Sequence, residues 1–173
     1  TLNFRDLSKK TNRVISTNAI NTGNDVAEVG AVAFGNRNYS IVLDSGGAQT
    51  TIASDAYYPL TDGNSVVYRK DDNGVFSLYV YRANNNTLLS VLGSSKPEPQ
   101  RDYQINNGWI AFVDIGPSSN QTKIWTLSPD NVLLQRHSSD NSARIGEIIH
   151  IASNGELIFS QRTDDSSYER GYF

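Results

Sequence analysis

An all-β fold built from about four repeated antiparallel sheets is predicted by three features of this sequence. Apolar residues fall in short runs bounded by Gly, Asn, Asp, Ser or Pro, which is how strands separated by turns are written. No window sustains the i, i+3, i+4, i+7 spacing of an amphipathic helix. A unit made of a turn followed by an apolar strand returns at a nearly constant interval along the chain.

The elements follow in order. Leu2-Asn3-Phe4-Arg5-Asp6-Leu7 and Arg13–Ser16 read as the third and fourth strands of a unit, comparable with Tyr79–Ala83 and Leu88–Leu92. Gly30–Phe34 and Tyr39–Leu43 come next and end on Asp44-Ser45-Gly46-Gly47, where Asp and Ser bond the backbone and two glycines supply positive φ. Ser65–Tyr68, Ser77–Tyr81 and Leu88–Leu92 follow, separated by Asp71-Asp72-Asn73-Gly74 and Asn84-Asn85-Asn86. Trp109–Val113, Lys123–Leu127 and Val132–Arg136 form the next set, with Ser128-Pro129-Asp130-Asn131 as a turn. Ile148–Ala152, Leu157–Ser160 and Tyr168–Phe173 close the chain.

The repeat is visible residue by residue. Asp62-Gly63-Asn64-Ser65-Val66-Val67-Tyr68 aligns with Asn107-Gly108-Trp109-Ile110-Ala111-Phe112 and with Asn154-Gly155-Glu156-Leu157-Ile158-Phe159. Gly63 and Gly108 are 45 positions apart, and Gly108 and Gly155 are 47 apart. A shorter copy, Gly30-Ala31-Val32-Ala33-Phe34, lies 33 positions before Gly63. Four short strands in such a period suit one blade of a β-propeller, whose sheets stack face to face around an axis. Covering both faces explains strands that are continuously apolar, such as Ile110-Ala111-Phe112-Val113. The expected domain is a single propeller over residues 1–173, about four blade equivalents or part of a larger ring. Its units are 1–17 with 146–173, 26–54, 57–95 and 103–138.

Bulk properties narrow the function. With 173 residues, the chain can bury roughly two-thirds of its unfolded surface and needs neither disulfide nor metal to fold. A net charge of −3 and the lack of any basic block argue against nucleic acid, and no apolar stretch is long enough to cross a bilayer. The absence of Cys excludes zinc thiolate sites and thiol nucleophiles. A Cys-free composition rich in Asn, Ser, Thr, Gly and Tyr points to a bacterial protein working at the cell surface, in the periplasm or outside the cell.

The repeat resembles the TolB-type, WD40-like propeller unit, in which an Asp-Gly or Asn-Gly turn precedes an Ile-Ala-Phe strand. Asn107-Gly108-Trp109-Ile110-Ala111-Phe112, then Lys123-Ile124-Trp125, then Ser128-Pro129-Asp130 carry that resemblance best. It implies a β-propeller, in a family whose members are generally larger rings than the roughly four blade equivalents this chain supplies. The Ser-Pro-Asp-Gly turn usual in the family is reduced here to Thr61-Asp62-Gly63, Asn106-Asn107-Gly108 and Ser153-Asn154-Gly155.

No catalytic constellation emerges. Asp44-Ser45-Gly46 resembles an aspartic-protease turn, but that chemistry needs two carboxylates sharing a proton, and a hairpin turn explains the string as well. His137 beside Ser138, Ser139 and Asp140 is expected in a solvated turn, and His150 between Ile149 and Ile151 in a half-buried strand. Asp71-Asp72-Asn73-Gly74 and Asp164-Asp165 offer oxygen ligands to Ca²⁺ without an EF-hand's closing Glu, so no cofactor is predicted and a structural calcium is the lesser reading. Trp109, Trp125 and most tyrosines fall at repeat-equivalent strand positions and are expected to pack between blades.

The candidate ligand-binding residues lie in the connections expected to enter each innermost strand. They are Asp55, Tyr57 and Tyr58, then Arg101, Asp102 and Tyr103, then Arg144 and Glu147. Equivalent loops of a propeller converge on its axis, so these mixed charges and tyrosines would share one opening. The predicted function is a noncatalytic module that binds a protein partner or a glycan. The alternatives are an accessory propeller of a secreted hydrolase, polysaccharide-degrading or otherwise, and a structural subunit assembling through its edge strands.

Overall fold

The computed structural model describes residues 1–93, 102–114, 122–139, 144–162 and 168–172. These form five antiparallel sheets, each running through its strands in chain order. The first sheet has two strands, β1 (Leu2–Asp6) and β2 (Thr11–Ser16). The second has four: β3 (Ala19–Val26), β4 (Val32–Asn36), β5 (Ile41–Ser45) and β6 (Ala48–Ala53). The third comprises β7 (Ala56–Thr61), β8 (Val66–Asp72), β9 (Val75–Arg82) and β10 (Asn85–Gly93). The fourth comprises β11 (Tyr103–Asn106), β12 (Trp109–Asp114), β13 (Lys123–Leu127) and β14 (Leu133–Ser138). Three strands make the fifth: β15 (Arg144–Ile151), β16 (Leu157–Arg162) and β17 (Tyr168–Tyr172).

Burial along each strand follows from how many faces its sheet has covered. Consecutive residues from Ile110 to Val113 in β12 are buried, because sheets lie on both sides. In β1, half-buried and exposed positions alternate, as in a strand with one partly covered face. The outermost strand β6 leaves Ala48–Thr51 exposed.

Four apolar layers join the five sheets in succession. Ile15 of the first sheet, with Leu2 and Phe4, meets Val32, Phe34 and Val42. Ala33, Ile41 and Leu43 meet Val66, Tyr68 and Tyr81. Val67, Leu78 and Val80 meet Tyr103, Ile110 and Phe112. Ala111, Val113 and Ile124 meet Ile148, Leu157 and Phe159. Trp125 and Trp109 pack against the third and fourth of these layers. Repeated sheets stacked in this way are the architecture of a β-propeller.

Except for β15, whose Ile148–Ile151 part the sequence indicates, the innermost strands differ from those expected. Successive sheets meet along their first strands: β3 packs on β7, β7 on β11 and β11 on β15. The residues that open each sheet are therefore strand, not connection, at Ala56–Thr61 and Tyr103–Asn106. Apolar periodicity hides these strands for identifiable reasons. β7 contains Pro59 and shifts register between Tyr57 and Leu60, with Tyr58 at φ +53°. β3 shifts between Ala19 and Asn24, and β11 is only four residues long. Both histidines are also placed differently from expectation. His137 is half-buried in β14 with its ring 5.0 Å from Phe159, and His150 is exposed on β15.

Candidate functional site

The first strands define two ends of the molecule, one where they begin and one where they finish. At the entry end, the sequence-predicted residues Asp55, Tyr57 and Tyr58 lie beside the β8–β9 turn. Together Asp55, Tyr57, Asp71, Asp72, Asn73 and Gly74 line an open groove of about 540 Å³. The backbone there is held in an uncommon shape. Tyr39, Asp55, Tyr58 and Asn73 all have positive φ, between 52° and 57°. For a bulky aromatic such as Tyr58 that conformation costs free energy and has to be imposed by its surroundings.

Three contacts impose it. The Tyr103 hydroxyl donates to the Tyr58 carbonyl at 2.6 Å from the next sheet. From the preceding sheet, the Tyr39 carbonyl accepts from the Ala56 amide at 2.9 Å. Within the sheet, the Arg69 guanidinium lies over the rings of Tyr57, Tyr58 and Phe76 at 5.2, 4.8 and 4.9 Å. The Tyr39 ring, 49 % exposed, leans on Tyr57 at 5.6 Å and extends this aromatic surface outward. Burial, and then the charges of Asp71 and Asp55 with Tyr39 nearby, push the Tyr57 hydroxyl up from its ordinary pKa. It therefore stays a neutral donor.

The predicted set is thus only partly assembled. Tyr57, Tyr58 and Asp55 come together, but Tyr103 is fully buried and acts as a brace, with burial pushing its hydroxyl up. Asp102 precedes β11, its carbonyl accepting from Val113 at 2.8 Å. Arg144 and Glu147 belong to β15, opposite Arg162 and Ser160 of β16, while Arg101 lies outside the described residues. Arg69 and Tyr39 were not singled out by sequence. Both sit at repeat positions with no distinctive neighbours, and the only trace of Tyr39 is its Asn-rich turn.

The exit end carries a second concavity, of about 670 Å³, between the turns that close the first hairpins of three successive sheets. Its walls are Asp25–Val29, Leu60–Asp62 with Asn64, and Gln104–Asn107. Side chains bolt these turns together. Asp25 accepts from the Thr61 amide at 2.7 Å, and Asp62 accepts from Gly108 of the next sheet as well as from Asn64 and Ser65 at 3.0 and 2.8 Å. Gln104 and Asn106 donate onward to the carbonyls of Ile148 and Ile151, at 2.9 and 3.0 Å. Arg82 reaches from β9 to the Ser128 carbonyl at 2.7 Å, to Asn131 at 3.0 Å and to the Gly108 carbonyl.

The other sequence motifs resolve into structure. Asp44 is buried, with Arg13 Nη1 at 2.6 Å, the Gly47 amide at 3.2 Å and Gln49 Nε2 at 3.1 Å, the bonding of a hairpin turn anchored to the first sheet. Among the described residues, no group of three or more His, Cys, Asp and Glu is placed to hold a metal ion. Asp164-Asp165 lies outside those residues.

No protein-family model and no curated protein matches the chain. Among solved structures, it is similar to TolB from Acinetobacter baumannii, with a TM-score of 0.50 and 15 % identity over 98 % of this chain and 47 % of that one. It also aligns with a chain of a nidogen/laminin complex, with a TM-score of 0.48 and 14 % identity over 95 % and 69 % of the two chains. The chain therefore spans about half the length of the TolB chain it matches. Five sheets stacked in chain order, with first strands innermost, give it a TolB-like β-propeller fold.

Proposed function

We propose that this propeller is a noncatalytic module, working outside the cytoplasm, that binds an exposed segment of a protein partner at the entry end. The observation that carries the reading is the Tyr39–Tyr57 surface beside the groove of Asp55 and the β8–β9 turn, held by positive-φ residues and by Arg69. A strained, braced backbone is pre-organised, and pre-organisation lowers the ordering cost of binding. The groove is open rather than enclosing, a shape that receives a protruding loop better than it encloses a small molecule.

A glycan is the second reading, favoured by the half-exposed Tyr39 ring beside carboxylates that accept from sugar hydroxyls. Peptide display and a glycan array run in parallel on the protein separate the two. The expected outcome is a set of peptides whose affinity falls at least about tenfold in Tyr39→Ala, since interface tyrosines commonly contribute more than ~1 kcal/mol. Ligands confined to the glycan array would establish the second reading. Binding that ignores both Tyr39→Ala and Asp55→Asn would remove the entry end from the function.

A further inference from the structure

The exit-end groove has a chemistry of its own. Its thirteen lining residues include Asp25, Glu28 and Asp62 but no Lys, Arg or His and no aromatic ring. Backbone amides bond two of these carboxylates, Thr61 to Asp25 and Asn64, Ser65 and Gly108 to Asp62, but none of these donors carries a charge, and the side-chain amides of Gln104 and Asn106 are committed to β15. Arg82 stands near Asp62, but its guanidinium is spent on carbonyls of the fourth sheet. Two valines on the same wall, Val26 and Val29, are 56 % and 76 % exposed.

We propose that this groove docks a basic, extended segment of a partner protein, its Lys or Arg heads among Asp25, Glu28 and Asp62 and its aliphatic stems along Val26 and Val29. Charge complementarity selects the occupant. An acidic partner would face three carboxylates with no cation in the lining. A neutral glycan would find no ring to stack on. A bare metal ion would find no coordinating group of three among the described residues. Lys and Arg suit both halves of the wall, because their stems cover apolar surface while their heads seek acceptors. Burial already pushes the Asp25 carboxyl up from its ordinary value, against its bonds from the Thr61 and Val26 amides, and an incoming cation would relieve that cost. The turns are fixed from sheet to sheet by bonds to Asp25 and Asp62, so these two carboxylates need no rearrangement to receive it. This groove is on the opposite end from the Tyr39–Tyr57 surface, and either reading can fail without the other.

The test is fluorescence anisotropy at low ionic strength with a labelled hexapeptide of alternating lysine and serine. Its counterpart with glutamate for lysine, and free Ca²⁺ as a competitor, serve as controls. One-to-one saturable binding of the lysine peptide is expected, weakening as salt rises. Glu28→Lys should weaken it about tenfold, and Glu28→Gln, which keeps the side chain's size, should weaken it about threefold. Asp130→Lys makes the same change in net charge at an exposed turn that lines neither groove and should leave the affinity within about twofold. Equal loss in Glu28→Lys and Asp130→Lys would reveal diffuse attraction to an acidic protein and overturn the proposal. Equal binding of the glutamate peptide, or displacement by micromolar Ca²⁺, would overturn it as well.

Discussion

Arg82 offers the sharpest test of how the third and fourth sheets are held together. Its guanidinium bonds the Ser128 carbonyl at 2.7 Å, Asn131 Oδ1 at 3.0 Å and Ser65 Oγ at 3.1 Å, and also reaches the Gly108 carbonyl. A hydrogen bond from a charged donor nets roughly 1.5–3 kcal/mol, but the half-buried guanidinium loses hydration, and part of the arrangement is exposed to solvent. Balancing these, Arg82→Ala should cost about 3 kcal/mol, and Arg82→Lys about 2 kcal/mol because an ammonium cannot reproduce the fork. For a domain of this size that corresponds to a fall in Tm of about 6–12 °C for the alanine variant. Urea denaturation monitored by tryptophan fluorescence reads it, since Trp109 and Trp125 both lie in the fourth sheet. An Arg82→Lys protein within about 0.5 kcal/mol of the parent, with an unchanged m-value, would refute the claim that guanidinium geometry fastens the two sheets.

Two further outcomes follow from the same turns. Gly155→Ala should destabilise by about 2–4 kcal/mol, against about 1 kcal/mol for Gly74→Ala. Both have positive φ, but a Cβ at Gly155 would meet the Trp109 ring at 2.6 Å while one at Gly74 would meet nothing, so equal midpoints would discredit this packing. Asp25, with its folded pKa raised by burial, contributes stability that is complete below its unfolded value and lost as pH rises through the folded one. Asp25→Asn retains an oxygen for the Thr61 amide, so its stability relative to the parent should improve between about pH 3.5 and pH 7. A flat difference across that window would mean that the carboxylate is fully compensated.

The parts of the fold that were legible are those governed by covered faces. A strand such as β12, with a sheet on either side, is apolar at consecutive positions, and that run identifies it without any structure. The turn glycines were legible too: Gly30, Gly63, Gly108 and Gly155 have φ between 80° and 100° and occupy the same place in four sheets. Of the innermost strands, β15 was legible through Ile148–Ile151, but β3, β7 and β11 were not, because bulges and positive-φ residues in β3 and β7 break the alternation that periodicity detects and β11 is only four residues long. That loss carried over to the site. Tyr103 looks like a ligand contact when its segment is read as a loop, and becomes a buried brace once the segment is a strand. Asp62-Gly63 and Asn107-Gly108 were recognised as repeat anchors, but nothing in one turn announces that its side chain reaches the next sheet.

That reach from sheet to sheet links the fold to its proposed use. Each sheet contacts mainly its neighbours, so stability is close to a sum of sheet and interface terms, as in other repeat architectures. Asp25, Asp62, Gln104 and Asn106 each place a polar bond across one of those interfaces at the exit end, while Tyr103 and Ala56 do so at the entry end. A ligand seated in the exit-end groove would touch turns of three sheets and so stabilise two interfaces at once, whereas a contact with β14 alone would stabilise none. Binding free energy at that position is therefore transmitted along the stack by the same bonds that set its register. Weakening one of them, as in Arg82→Lys, should loosen the third and fourth sheets together and lower affinity in the groove without altering any residue that lines it.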